Sequence, residues 1–244
     1  MNTTKNNIPV KIFWTGGWDS TFRVLQLALV ENKLVDPYYL IDFHRKSYPV
    51  ELTVIKNLRE KINNITNLIL PLKIYLKDDI PEYDEISQAY EKTKNICRFG
   101  SQNKWMANFC AFKKIYGIEV SSHKHIEPAP YQKIIFNDLN KQDYSLNKES
   151  IAYPVVKYFS FPIVNFTKLD MLNYARQHNF ESILNETWFC HKPINNKPCG
   201  LCHPCTIAIE QNRQIEFARF KNLRRFKNKV LYKLKHAKFI NVIL

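Results

Sequence analysis

The sequence predicts an α/β protein built on a doubly wound parallel sheet. Three observations carry this. Short apolar runs alternate with segments of helical period along most of the chain. The first such run, VKIF, ends in a Gly-Gly turn that opens a helix-like segment. The 45% apolar content, with sixteen Phe in 244 residues, supplies enough side chain for a sizeable core.

The elements follow in order. Val10–Trp14 is a buried strand, and Ser20–Asn32 a helix with Phe22, Leu25, Ala28 and Leu29 near helical spacing. Tyr38–Phe43 is a second strand. Val50–Ile65 is a helix with Leu52, Ile55 and Leu58 on its apolar side. Leu72–Leu76 is a third strand, Gln102–Tyr116 a helix and Ile118–Ser121 the strand after it. Thr167–His178 is a helix in which Thr167 and Asp170 stand at capping-box spacing. Glu127–Ser150 shows little period and reads as a long loop. From Thr206 to His236 the chain reads as a strongly basic helix. Residues 1–185 are thus expected to form one α/β domain. Residues 186–244 would add a cysteine-rich segment and a basic helix packed on the same domain.

The net charge is +14, from 36 Lys and Arg against 22 Asp and Glu. Such a balance suits anionic partners such as phosphates, nucleic acid or acidic surfaces. The N-terminus has no secretory h-region and no run approaches a membrane span, so a cytoplasmic protein with no membrane contact is expected. In a reducing compartment six cysteines point to metal binding or chemistry before disulfides.

The stretch WTGGWDSTF, Trp14 to Phe22, holds two of the chain's five glycines. Gly16 and Gly17 have no Cβ, so phosphate oxygens can approach the backbone. The helix that follows adds the partial positive charge of its N-terminus. The Ser20 and Thr21 hydroxyls can donate to phosphate. Asp19 would repel phosphate directly and is assigned instead to Mg²⁺ or to a helix cap. The pattern is neither GxxxxGK with Ser or Thr, nor GxGxxG.

Cys190, Cys199, Cys202 and Cys205 are spaced C-x8-C-x2-C-x2-C. Four thiolates so spaced match a closed tetrahedral Zn²⁺ site, and an iron–sulfur cluster uses similar ligands. A zinc held by four thiolates keeps no open position and is usually structural.

TGGWDS closely resembles the SGGxDS signature of the PP-loop ATP pyrophosphatases, with Thr15 in place of Ser. Together with the cysteine spacing it resembles one family, the 7-cyano-7-deazaguanine synthases of queuosine biosynthesis. The likeness runs to about Asn212 and includes Gly200, Thr187-Trp188, the FPIVNFTKLDML stretch and LIDFHRKSYPVEL. It implies an adenine-nucleotide α-hydrolase-like fold, with ATP held by Trp14, Thr15, Gly16, Gly17, Trp18, Asp19, Ser20, Thr21 and Phe22. Asp19, Ser20 and Lys168 would be catalytic. Asp42, His44, Gln102 and Asn103 would meet the substrate, and the four cysteines would hold Zn²⁺.

The implied reaction is an ATP- and Mg²⁺-dependent ligation. The carboxylate of 7-carboxy-7-deazaguanine, or of a similar acid, is adenylated with release of pyrophosphate and then attacked by ammonia or another amine. Two departures bear on the substrate. Gln102 replaces an arginine of the family's turn, and its Tyr-Pro-Asp-Cys-Arg-like segment is matched only faintly, by Pro130-Tyr131. A protein or nucleic-acid acceptor reached through the basic tail, and a homodimer, are further expected partners. The competing readings are a tRNA-modifying PP-loop enzyme using Cys97 or Cys110, and a non-catalytic nucleotide-binding protein.

Overall fold

The structure, a computed structural model, describes residues 8–124, 128–210 and 215–218. Most of the basic helix expected up to His236 lies outside these residues. Two compact units emerge: Met1–Asp42 with Leu52–Thr187, and Phe43–Glu51 with Trp188–Leu244.

The first unit is α/β. Strand β1, Val10–Phe13, leads through the glycine turn to helix α1, Trp18–Leu25, which a π-helical segment extends over Gln26–Val30. Then come β2 (Val35–Ile41), α2 (Tyr48–Thr66), β3 (Lys73–Leu76), α3 (Asp84–Ile96), α4 (Ser101–Lys113) and β4 (Ile118–Glu119). After these follow α5 (Pro130–Ile135), β5 (Phe136–Asp138), β6 (Asp143–Leu146), α6 (Tyr153–Val156), β7 (Phe159–Ser160), α7 (Lys168–Gln177) and α8 (Glu181–Leu184).

Five strands form a parallel sheet in the order β3-β2-β1-β4-β7. The order steps outward from β1 to β3 and then jumps to the other side of β1 with β4. Crossovers between parallel strands are right-handed, so a reversal of this kind sends them to opposite faces. The gap between the carboxyl ends of β1 and β4 is the topological switch point, where open α/β sheets bind ligands.

All seven residues of β2 are buried, as a central parallel strand requires. It starts three residues before the expected Tyr38, and Pro37 masks that start in the sequence. Pro37 falls between the Val35↔Ile69 bridge and the first β2–β3 pair, Tyr38↔Lys73, where the ladder on that side is open and its missing N–H is not needed.

Two sequence expectations change. Asp84–Ile96, unassigned in the sequence, is a helix that buries Ile86, Ala89, Tyr90 and Thr93 at i, i+3, i+4 and i+7. Glu127–Ser150 is not a plain loop among its described residues. It holds α5 and an antiparallel β5–β6 hairpin. The hairpin is short and carries Asp, Asn and Ser, so its apolar period is too brief to register. The helix expected at Thr167 is α7. Thr167 accepts from the Asp170 amide, and Asp170 accepts in return from the Thr167 amide.

The second unit gathers the cysteines around a small core of Cys190, Cys199, Cys205, Ala208 and Phe217. Of the helix expected from Thr206, residues 206–210 are helical as the end of α9, His203–Glu210, whereas residues 215–218 are not helical, a correction to that expectation. Within the eight-residue spacer, Asn195 and Asn196 both take positive φ between the bridged Ile194 and Lys197, a tight reverse turn. No helix among the described residues is long and apolar enough to cross a membrane.

Candidate functional site

The glycine turn stands at the carboxyl end of β1. Gly16 has φ +69°, which a residue with a Cβ rarely adopts, and Gly17 precedes the first turn of α1 in extended conformation. Ser20 closes the turn. Its Oγ receives the Thr15 amide at 3.2 Å, lies 3.2 Å from Thr15 Oγ1 and donates to the Gly17 carbonyl at 3.3 Å. The amides of a helix's first turn have no partner within the helix, so the turn and α1 direct donors at one point.

Not every residue of WTGGWDSTF faces that point. Trp14, Thr21 and Phe22 are fully buried. Trp14 Nε1 donates to Thr21 Oγ1 at 2.9 Å, tying β1 to α1. Phe22 packs against Phe166, Tyr174 and Phe180. Their side chains hold the turn in place, and what they offer a ligand is backbone. The Thr21 hydroxyl, expected to reach phosphate, points inward instead.

Asp19 is the meeting point of three elements. Lys168, the first residue of α7, donates to Asp19 Oδ1. His123, four residues past the end of β4, places Nδ1 3.5 Å from Oδ2. The chain around His123 is clamped in turn. The Lys124 amide donates to the Phe166 carbonyl at 2.8 Å, and Gln132 Nε2 to the His123 carbonyl at 3.1 Å. Burial works against the Asp19 charge, but the His123 hydrogen bond and the Lys168 ammonium outweigh it and hold the carboxyl below its ordinary value.

A lowered folded pKa stabilises the fold above the unfolded carboxyl's value, about 3.9, and that contribution is lost as pH falls through the lowered value. Asp19→Asn should therefore be less stable than the native protein by a margin that is fully present at about pH 5. The margin should close only at lower pH, as urea unfolding at a series of pH values will read.

A cavity of about 430 Å³ opens beside His123. Its polar lining includes Arg98, Gln102, Asn103, Ser121, Ser122 and Tyr131, and Phe99, Ile135, Val156 and Phe161 supply apolar wall. Its size falls in the range of small-molecule sites. Tyr131 OH and Ser122 Oγ are 2.7 Å apart. Burial, with the nearby Asp19 charge, pushes the Tyr131 phenol up, although the Ser122 hydrogen bond acts against the shift. Ser121 Oγ is buried without a hydrogen-bond partner among the described residues, so a ligand polar group there would satisfy it.

Of the four residues expected to meet the substrate, Gln102 and Asn103 line this cavity and the other two do not. Asp42 pairs with Lys77 at 3.3 Å. His44 belongs to the Phe43–Glu51 segment of the second unit. Sequence reasoning missed His123, Ser121 and Ser122. Their signal was present: SSHKH directly follows an apolar strand, as TGG follows the first one.

The cysteines form a separate centre. All four Sγ atoms lie within 4.8 Å of one another. The separations are 3.4 Å for Cys202–Cys205, 3.8 Å for Cys190–Cys202 and 3.9 Å for Cys199–Cys205. Zn–S bonds of about 2.3 Å put tetrahedral sulfurs about 3.8 Å apart, so the group can hold a metal ion such as zinc. Amides aim at the sulfurs. Cys199 N–H donates to Cys190 Sγ at 3.2 Å and Leu201 N–H to Cys199 Sγ at 3.3 Å, with Gly200 at φ +73° between those two donors. The Cys205 hydrogen bond pulls Cys190 down to about 5, and the same bond pushes Cys205 up.

The spare cysteines differ from these. Cys110 is fully buried, and burial pushes its thiol up to about 12, while burial also raises Cys97. A raised pKa withholds the nucleophilic thiolate, so neither Cys97 nor Cys110 is set up for sulfur chemistry at neutral pH. Both should therefore be alkylated slowly by iodoacetamide at pH 7, as mass spectrometry of the treated protein will read.

No protein-family model, curated protein or solved structure matches this chain.

Proposed function

We propose that the protein is an ATP-dependent, adenylate-forming ligase that activates a carboxylic acid for attack by an amine. One observation carries the reading: a glycine turn and helix N-terminus at the β1/β4 switch point, with Asp19, His123 and Lys168 converging beside a small-molecule cavity. The fold, on this reading, is that of the adenine-nucleotide α-hydrolases.

The turn and α1 hold the phosphates of ATP through backbone amides. Asp19 supplies one carboxylate at their edge. That suits Mg²⁺, which is held by one or two carboxylates plus substrate phosphates. When bound, the ion neutralises phosphate charge. Lys168, whose side chain is half exposed, is free to turn from Asp19 toward the α-phosphate. There it balances the charge that builds as an acid oxygen attacks phosphorus and the bond to the β-phosphate oxygen breaks. The cavity holds the acid in line, the largest contribution the residues beyond the loop can make. Pyrophosphate leaves, and an amine then displaces AMP from the acyl carbon.

The resemblance nominates 7-carboxy-7-deazaguanine or a similar acid, with ammonia or an amine on a protein or other partner as acceptor. Zn²⁺ in the four-cysteine centre fits this reading as a structural ion. The sulfur-transfer alternative gains nothing from Cys97 or Cys110. Incubation with Mg²⁺-ATP and carboxy-deazapurines, with and without ammonia, tests the assignment by product mass. AMP, pyrophosphate and an amide or nitrile are expected. Absence of AMP with every such acid would overturn the substrate.

A further inference from the structure

Arg23 is a buried cation that the proposed chemistry does not use. It lies one turn beyond Asp19 on α1 and is 8% exposed. Four of its five N–H donors are engaged. Nε and Nη2 donate to Glu119 Oε2 and Oε1, both at 2.8 Å, and Nη1 donates to Gln26 at 2.8 Å and to Glu31. Gln26 and Glu31 stand at the start and just past the end of the π-helical segment, whose wider turn brings both to one nitrogen. Burial opposes the Arg23 charge, but the Glu119 and Glu31 carboxylates outweigh it. Glu119, 7% exposed, is the last residue of β4.

The spacing gives the pair its meaning. Asp19 and Arg23 are four apart on one helix, and Glu119 and His123 are four apart on the segment leaving β4. The same two stretches therefore meet twice, once at the buried fork and once at the Asp19–His123 contact. β4 has only two residues and pairs with β1 at one position, Ile12↔Glu119, so backbone pairing with β1 does little to fix its register. A bidentate guanidinium–carboxylate fork is directional where a lysine pair is not.

We propose that Arg23 and Glu119 are positioning residues: their fork fixes the register of segment 119–123 against α1 and thereby places His123 against Asp19. This rests on the adenylate reading for its consequence, though not for its geometry.

The test removes the fork without leaving a lone buried charge. Arg23→Met/Glu119→Met replaces the pair by apolar groups of similar length, a change that buried pairs often tolerate in stability. The ring ¹⁵N signals of His123 report its contact with Asp19, with Asp19→Ala as the reference for a lost contact. ATP–pyrophosphate exchange reports turnover.

The double variant should lose the native His123 signal, as Asp19→Ala should. Its kcat should fall about 10²-fold, the effect of a displacement of about 1 Å, with KM for ATP nearly unchanged. In that background His123→Ala should add little further loss. If the double variant does not fold, Arg23→Lys, which keeps the charge and gives up the fork, carries the same measurements. A native His123 signal overturns the proposal, and so does native turnover with the signal lost. Failure of the adenylate reading shows separately, as native protein that makes no AMP, and the ring signal then decides the positioning claim alone.

Discussion

Asp19→Ala should lower ATP cleavage about 10³-fold or more while leaving the protein folded. The side chain is 29% exposed, and its two partners belong to the site and not to the core. Pairs this accessible contribute about 0.2–1 kcal/mol each, so the melting curve should move by only a few degrees. On the proposed function the catalytic loss is larger, because Asp19 fixes where Lys168 and His123 stand and would also offer a carboxylate to Mg²⁺. Lys168→Ala should cost less, about 10²-fold, since the α1 amides still face the phosphates. Steady-state assay of pyrophosphate release beside thermal melts separates the two effects. A fully active Asp19→Ala protein would return the molecule to the class of non-catalytic nucleotide binders.

Stripping the metal from the four-cysteine centre should unfold the cysteine module, not merely slow a reaction. Four thiolates leave no coordination position for a substrate. Among the described residues, Cys190, Cys199 and Cys205 are themselves three of the five buried members of the core there. Binding of a structural zinc is worth about 10–16 kcal/mol in small modules of this kind, so a module that holds one depends on it for its fold. Chelator treatment, or Cys199→Ser, should release one metal ion per chain, expose the residues around Trp188 to protease and shift its fluorescence. Loss of activity with an unchanged melting curve and unchanged proteolysis would contradict a structural role.

The sequence reveals the sheet more readily than the site. Val10–Phe13, the glycine turn and α1 are legible because an apolar run, two glycines and a helical period fall in succession. α7 is legible from its capping pair, Thr167 and Asp170, which bond as their spacing implies. The cysteine cluster is legible because short spacers confine the thiolates. α3 is hidden by its polar surface: only four of its thirteen residues are buried, and Thr93 is one of them.

The convergence on Asp19 is a different matter. His123 and Lys168 lie 104 and 149 residues beyond it and meet it only through parallel strand order, which no local pattern encodes. The buried fork is hidden for the same reason. No local pattern marks Arg23 or Glu119 as partners, and only folding pairs them.

The central claim is the bond that is cut. ATP labelled at the α-phosphate and ATP labelled at the γ-phosphate, each incubated with the protein, Mg²⁺ and a panel of carboxy-deazapurines, distinguish the chemistries directly. The account predicts label in AMP from the first and in pyrophosphate from the second, dependent on the acid and lost with Asp19→Ala. Label in ADP from the first and in inorganic phosphate from the second, in the absence of contaminating pyrophosphatase, would contradict it.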